Sequence, residues 1–332
     1  MSRNLRREVN NLQTIKRSTA DRGPGIASYA IRDCGDFACD CACDCACPLY
    51  SSLPKLTYYL EITPDCNNAC YGCYNLFASS RFPRLVKYPK PYLHWQEWEM
   101  ILANIVHQTS SVRISGGEPT LHPDFERIIA TLACEHIPFS LFTNGRWSNP
   151  NRLMHFLKSV PECLGLLISL HGMTAEAHET FSGVQGSFNE TLANIKLAIE
   201  SNLNVSISMV LTPYNYRQIH EMVRLAQNLG ARVVFNRHID SDVSDKHLSP
   251  TGFKQAVEQI ETLKQQDTQV RFGPCIQTCF VSSSATGCLA GTSFAAIDPW
   301  GNVKPCTHAP LIVGNLLKQS QSDIWNSEGM MV

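Results

Sequence analysis

Long apolar runs and any excess of one charge are what this chain lacks. No stretch of its 332 residues approaches the ~20 consecutive apolar residues that cross a bilayer as a helix, so no membrane partner is expected. Its 28 Lys and Arg stand against 29 Asp and Glu, a formal charge of -1. A balance so close to neutral supplies no global basic field for a polyanion, and nucleic acid is not expected as a partner either. Residues 1–22 are locally basic (Arg3, Arg6, Arg7, Lys16, Arg17, Arg22) but hold no apolar core, so they do not read as a secretory signal. The expectation is a soluble, cytoplasmic protein. Its 44% hydrophobic and 17% charged residues are a globular composition. The length suffices for one large α/β domain and a smaller one.

Cysteine is abundant. Six of the 15 fall within 34–47, three within 66–73 and four within 275–306. Without an export signal, thiols clustered in this way point to metal ligation or catalysis before disulfides. Cys134 and Cys163 stand alone in apolar surroundings and read as buried structural thiols.

Residues 1–55 have little periodicity and are broken by Gly23-Pro24-Gly25, which predicts a loosely ordered extension. From Leu56 the pattern alternates. Strands are predicted at Leu56–Thr63, Val112–Ser115, Phe139–Thr143, Leu166–Leu170, Val205–Leu211 and Arg232–Phe235. Helices are predicted between them from apolar residues at helical spacing, as in Trp95, Trp98, Leu102 and Ile105, or Ile219, Met222, Leu225 and Leu229. About six strand–helix units over 56–240 imply a parallel sheet with helices packed outside. The unusual residues gather at the strand C-termini, where such sheets place function. They are Cys66 after the first strand, Gly116-Gly117-Glu118-Pro119 after the second, Thr143-Asn144-Gly145 after the third, His171-Gly172 after the fourth and Asn236-Arg237 after the sixth. Asp240–Ser249 reads as a linker, followed by a helix from Pro250. A β-hairpin is predicted at Ser293–Ile297 and Val303-Lys304 around the turn Asp298–Asn302.

Cys66, Cys70 and Cys73 are spaced CxxxCxxC. Three thiolates on one short loop can bind three corners of a cubane cluster and leave the fourth iron open. Zinc is the competing ligand, but structural zinc takes four protein donors, commonly as paired knuckles. The spacing resembles the signature of the radical S-adenosylmethionine (radical SAM) superfamily, which lies in the loop after the first barrel strand. One departure is that the aromatic residue usual before the third Cys is replaced by Gly72, with Tyr71 one position earlier. Gly116-Gly117-Glu118-Pro119 stands where that family holds the methionine moiety of S-adenosylmethionine. There the glycines would let backbone approach the ligand, and Glu118 would accept its ammonium. The resemblance extends to Thr143, Asn144, Ser169 and Arg237 as polar contacts to the cofactor; His171 is read as either a core or a capping residue. It implies a site-differentiated 4Fe–4S cluster on Cys66, Cys70 and Cys73, S-adenosylmethionine chelated at its open iron, and one-electron cleavage to methionine and a 5′-deoxyadenosyl radical that takes hydrogen from a substrate.

Cys275, Cys279, Cys288 and Cys306, with the hairpin and the closing Gly314–Ser327 run, resemble the SPASM/twitch auxiliary-cluster domain of radical SAM maturases. The full pattern carries further cysteines after the Cys306 position and this chain has none, so one auxiliary 4Fe–4S cluster is expected. Structural zinc on the same ligands is the alternative. Cys34, Cys39, Cys41, Cys43, Cys45 and Cys47 lie in a segment of Cys alternating with Ala or Asp. In an extended chain the thiols from Cys39 on share one side. Metal binding, a substrate-like peptide and a thiol-rich tail all remain open for it.

The expectation is thus an α/β fold in three parts: the extension at 1–55, a partial (β/α)6 radical SAM barrel at 56–240 and a small α+β auxiliary-cluster domain at 241–332. The implied partners are a peptide or protein substrate and an electron donor such as flavodoxin or ferredoxin. Two rivals stand beside this reading. One is a cofactor-biosynthesis enzyme similar to the molybdenum-cofactor cyclase, whose Gly-rich, Arg-bearing tail is not matched by Glu328–Val332. The other is a non-catalytic metal-binding scaffold.

Overall fold

A computed structural model of the chain describes residues 55–75, 91–239, 246–273, 276 and 288–330. The six N-terminal cysteines from Cys34 to Cys47, and Cys275 and Cys279, lie outside the described residues, as does the expected extension at 1–55 apart from its last residue.

The strand–helix alternation is realised. β1 (Leu56–Glu61), β2 (Thr109–Ser115), β3 (Phe139–Thr143), β4 (Cys163–Ser169), β5 (Val205–Leu211), β6 (Arg232–Arg237) and β7 (Val270–Phe272) are separated by helices. These are α1 (Trp95–Ile105), α2 (Phe125–Cys134), α3 (Pro150–Lys158), α4 (Ala175–Ser182), α5 (Ser187–Glu200), α6 (Ile219–Leu229) and α7 (Pro250–Gln266). β1 to β7 lie side by side in chain order, and every neighbouring pair is parallel. β8 (Phe294–Ile297) pairs parallel with the free edge of β1. β9 (Asn302–Lys304) and β10 (Gly314–Asn315) follow it antiparallel. The C-terminal hairpin therefore continues the main sheet. α8 (Gln321–Trp325) and a 3₁₀ turn at Glu328–Met330 end the described chain.

One face of the sheet makes the core with the helices. Leu56, Tyr58 and Leu60 of β1, Val112 and Ile114 of β2, Leu166 and Ile168 of β4, and Val233 and Phe235 of β6 are all buried there. Trp98, Ile101, Ile128, Leu157, Ile195 and Met222 come from the helices. Because side chains alternate along a strand, Tyr59, Glu61, Arg113, Ser115, Phe142, Ser169, Ser208 and Asn236 face the opposite, inner side. Tyr59 meets Phe142 and Phe294 edge-on there, at 5.9 and 5.8 Å.

The structure differs from the sequence reading in several places. β2 begins at Thr109, because the hydroxyls of Ser110 and Ser111 bond to Leu56 O and Thr57 at 2.9 and 3.2 Å. α4 was not predicted. Its eight residues are too few to show periodicity, and it is fixed by its ends: Thr174 accepts from Ala177 N, and Gly183 turns left-handed. The short β7 and β10 also escaped. Cys134, expected to be buried, is exposed. The inward face of α2 is Phe125, Ile128, Ile129 and Leu132, and position 134 falls off that stripe. Cys163 is half-buried.

Candidate active site

The loop after β1 carries Cys66, Cys70 and Cys73, and its neighbours hold it on three sides. Arg146 donates to Asn67 O at 2.6 Å and Asn68 Oδ1 at 2.9 Å, and its Nε pairs with Glu190 at 2.7 Å. Asn67 answers by donating to Arg146 O at 2.9 Å. The backbone N–H of Asn68 and the amide of Asn144 both reach Cys66 Sγ, at 3.4 and 3.8 Å. On the far side, Ala69 N and Tyr71 N donate to Ser182 O and Phe181 O at the end of α4. Desolvation pushes the thiols of Cys66 and Cys70 up, and at Cys70 the neighbouring Cys73 and Cys66 add to the shift. Three like charges in one another's field are stable as thiolates only when a cation shares them.

Gly116 and Gly117 are packed against this loop. Gly117 N donates to Thr63 O and Glu118 N to Asp65 O, both at 2.7 Å. A Cβ on Gly117 would lie 2.1 Å from Asp65 O, so the close backbone approach that requires glycine is to the chain's own cysteine loop. Glu118 is fully buried. Its carboxylate accepts from Thr120 N–H and O–H, from Thr143 O–H and from Asn144 N–H at 2.7–3.3 Å. Thr143 Oγ1 in turn accepts from Trp147 Nε1 at 2.8 Å. Burial raises the Glu118 carboxyl while these donors oppose the rise. Glu118 thus ties the ends of β2 and β3 together beside the cysteine loop. Pro119 opens the short 3₁₀ turn that aims it.

Further round the mouth, Ser169 is half-buried on the inner face in register with Ser208, which accepts from Asn236 Nδ2 at 3.1 Å. Arg237 lies on the other face, with its guanidinium 5.3 Å from the Phe253 ring of α7. The alternation along β6 brings Asn236 to the inner side in its place. His171 is buried and its pKa is held well below the ordinary value by burial. Its Nδ1 accepts from Val210 N at 3.2 Å, which leaves any ring proton on Nε2 and makes it a structural histidine.

Sequence reasoning missed an ion pair between β1 and β9. Glu61, at the inner end of β1, meets Lys304 of β9 at 2.7 Å, and both are 0% exposed. Tyr74, next to Cys73, shares a hydrogen bond with Ser115 at 2.7 Å and packs on His308 at 5.2 Å. Lys304 is two residues from Cys306. Gly291 N donates to Pro305 O at 3.1 Å, so the backbone just after Cys288 meets the backbone just before Cys306. The only sequence signals for the pair were a Glu in a strand end and a Lys two residues before a Cys, and both are commonplace.

Residues 60–226 match the model of the radical SAM superfamily. The chain belongs to that superfamily. This radical SAM enzyme also matches, over 288–331, the SPASM model, described as an iron–sulfur cluster-binding domain. It is 24% identical to an AdoMet-dependent heme synthase of Methanosarcina barkeri, over 83% of each chain. It is 28% identical to the mycofactocin maturase MftC of Mycobacterium ulcerans, over 80% of this chain and 73% of that one. It is 27% identical to the subtilosin biosynthesis protein AlbA of Bacillus subtilis, spanning only 58% of AlbA. In structure it resembles Streptococcus suis SuiB bound to precursor peptide SuiA, with a TM-score of 0.68 and 17% identity over 85% of this chain and 67% of SuiB.

Membership brings a 4Fe–4S cluster, S-adenosylmethionine and auxiliary iron–sulfur binding. The donors fit the first of these: three thiols sharing one loop, N–H groups on the Cys66 sulfur, and a buried carboxylate beside them. Among the described residues no group of three or more His, Cys, Asp or Glu side chains is gathered closely enough to hold a metal ion. No helix among them is long and apolar enough to cross a membrane.

Proposed function

We propose that this radical SAM enzyme is a maturase that removes a hydrogen atom from a residue of a peptide or protein substrate. Cys66, Cys70 and Cys73 hold the site-differentiated cluster in this reading. Gly116, Gly117, Glu118, Pro119, Thr143, Asn144 and Ser169 surround S-adenosylmethionine, with Asn236 as the β6 contributor where Arg237 was expected. When bound, the cluster and S-adenosylmethionine supply a 5′-deoxyadenosyl radical. The protein's share is to seat the cluster loop, through Arg146 and α4, and to lock it to the Glu118 carboxylate. Residues 56–240 carry this chemistry and 241–332 the auxiliary cluster, on Cys288, Cys306, Cys275 and Cys279. A flavodoxin or ferredoxin supplies the electron, and the setting is cytoplasmic.

The observation that carries the reading is the position of Asn144, whose side-chain amide donates to Cys66 Sγ and, at 2.6 Å, to Asn67 Oδ1 while its backbone N–H donates to Glu118, so that the cysteine loop is joined to the Gly-Gly-Glu-Pro turn. The peptide class is supported by MftC, by AlbA and by the Bacillus subtilis sporulation killing factor maturation protein SkfB. A second reading, chemistry on a haem precursor, is favoured by the equal 83% coverage of the heme synthase and of this chain. The test is anaerobic reconstitution, with 5′-deoxyadenosine and product masses followed against candidate peptides and against haem precursors. A peptide mass change that requires both S-adenosylmethionine and reductant supports the maturase. Turnover of the haem precursor alone selects the second reading, and no 5′-deoxyadenosine with any substrate rejects both.

A further inference from the structure

The cysteine loop omits a side chain at Gly72, between Tyr71 and Cys73, and a ring from across the sheet stands in the space left. A Cβ built on Gly72 would lie 2.3 Å from His238 Nε2, 2.6 Å from His238 Cδ2 and 3.0 Å from Phe181 Cε2. Real Cβ atoms do not approach so closely, so any residue larger than glycine needs the volume that the imidazole fills. His238 follows directly on β6 and is only 4% exposed. Its ring is packed on several sides: Tyr71 meets it edge-on at 5.5 Å, His247 stacks on it at 4.6 Å, and Phe181 lies 6.2 Å away. Tyr71 and Phe181 pack on each other at 4.9 Å. The backbones of the same two residues are joined by the Tyr71 N to Phe181 O bond at 3.2 Å.

We propose that Gly72 and His238 act as one unit, in which the His238 ring takes the place of the side chain missing at position 72 and so positions the Cys70–Cys73 turn. His238 is a positioning residue: it acts through the loop, not on the reacting atoms. The inference rests on the assignment of Cys66, Cys70 and Cys73 as the cluster ligands. Three features carry it. The ring and the absent side chain compete for one volume. The ring is clamped by Tyr71, which belongs to the cysteine loop itself. The contact also spans from the last of the six predicted strands to the first, so it joins the loop to a part of the barrel that hydrogen bonding along the sheet does not bring near it.

The full-length chain is reconstituted without oxygen as the wild type, Gly72→Phe, His238→Ala and the double variant. Iron per chain and the electron paramagnetic resonance spectrum of the reduced cluster are read across an S-adenosylmethionine titration, with no peptide present. His238→Ala should load iron but need about tenfold more S-adenosylmethionine for the same spectral change. Gly72→Phe should lose the response, because two rings then contend for one space. The double variant, with the ring moved onto the loop, should return to within about threefold of the wild type, since neighbours that share a cavity are non-additive. If His238→Ala titrates like the wild type, or if the double variant is no better than Gly72→Phe alone, the pairing is wrong. A wild type that shows no response to S-adenosylmethionine overturns the ligand assignment along with it.

Discussion

Replacing Lys304 with Met tests how the C-terminal hairpin is held on the barrel. Lys304 Nζ and Glu61 Oε2 are 2.7 Å apart with neither side chain exposed. Removing one partner of such a pair leaves an uncompensated buried charge, which typically costs about 3–5 kcal/mol. Here the cost depends on pH, because Glu61 can escape it by taking up a proton. Burial raises its carboxyl from the ordinary 4.5 to about 7, even with Lys304 beside it. Between those values the folded chain holds a proton that the unfolded chain has lost. Wild-type stability therefore falls as pH rises through that window, and this contribution levels off above about 7. Without Lys304 the folded carboxyl stays protonated to higher pH, and the decline continues at about 1.4 kcal/mol per pH unit. Lys304→Met should thus lie within about 1 kcal/mol of the wild type at pH 6 and about 3 kcal/mol below it at pH 9. Anaerobic urea unfolding at the two pH values measures this. Glu61→Leu combined with Lys304→Met should recover most of the loss and flatten the pH dependence, since an apolar pair of similar volume often replaces a buried ion pair without cost. An equal penalty at pH 6 and pH 9, or a double variant as weak as the single, refutes the argument.

Three other outcomes follow from the same contacts. Glu118→Gln replaces one acceptor oxygen by a donor facing Thr143 and Asn144, so it should cost roughly 2–3 kcal/mol in thermal or urea stability. Iron content should be retained while S-adenosylmethionine binding, followed by calorimetry, is lost. Arg146→Ala removes the clamp on Asn67 and Asn68; iron incorporation should slow, with a stability loss of about 1–3 kcal/mol, because its hydrogen bonds are charge-assisted. Cys306→Ser and Cys66→Ser should each lower the iron count by about four per chain, whereas exposed Cys134→Ser should change neither iron content nor stability beyond about 0.5 kcal/mol.

The sequence by itself determined the elements and the order in which they sit. Short runs of apolar, β-branched and aromatic residues mark six of the first seven strands, and apolar residues at 3.6-residue spacing mark most of the helices. A parallel strand series joined by helices has few ways to pack. It also marked which loops to propose for the chemistry, because CxxxCxxC and Gly-Gly-Glu-Pro are local patterns whose spacing survives in the linear chain. What it left undecided was which way side chains point at strand ends and what meets across the sheet. Asn236 and Arg237 are adjacent in sequence, and one residue of register sends the first inward and the second onto Phe253. Cys134 looked apolar in context, yet the rotation of α2 exposes it. Glu61 and Lys304 lie 243 positions apart in the numbering, and they meet only because β8 adds to the edge of β1 and carries β9 with it. His238 fills the gap at Gly72 for a similar reason. Local pattern fixes backbone state, whereas contacts between distant segments depend on how strands stack and turn, and that was decided by the tertiary packing alone.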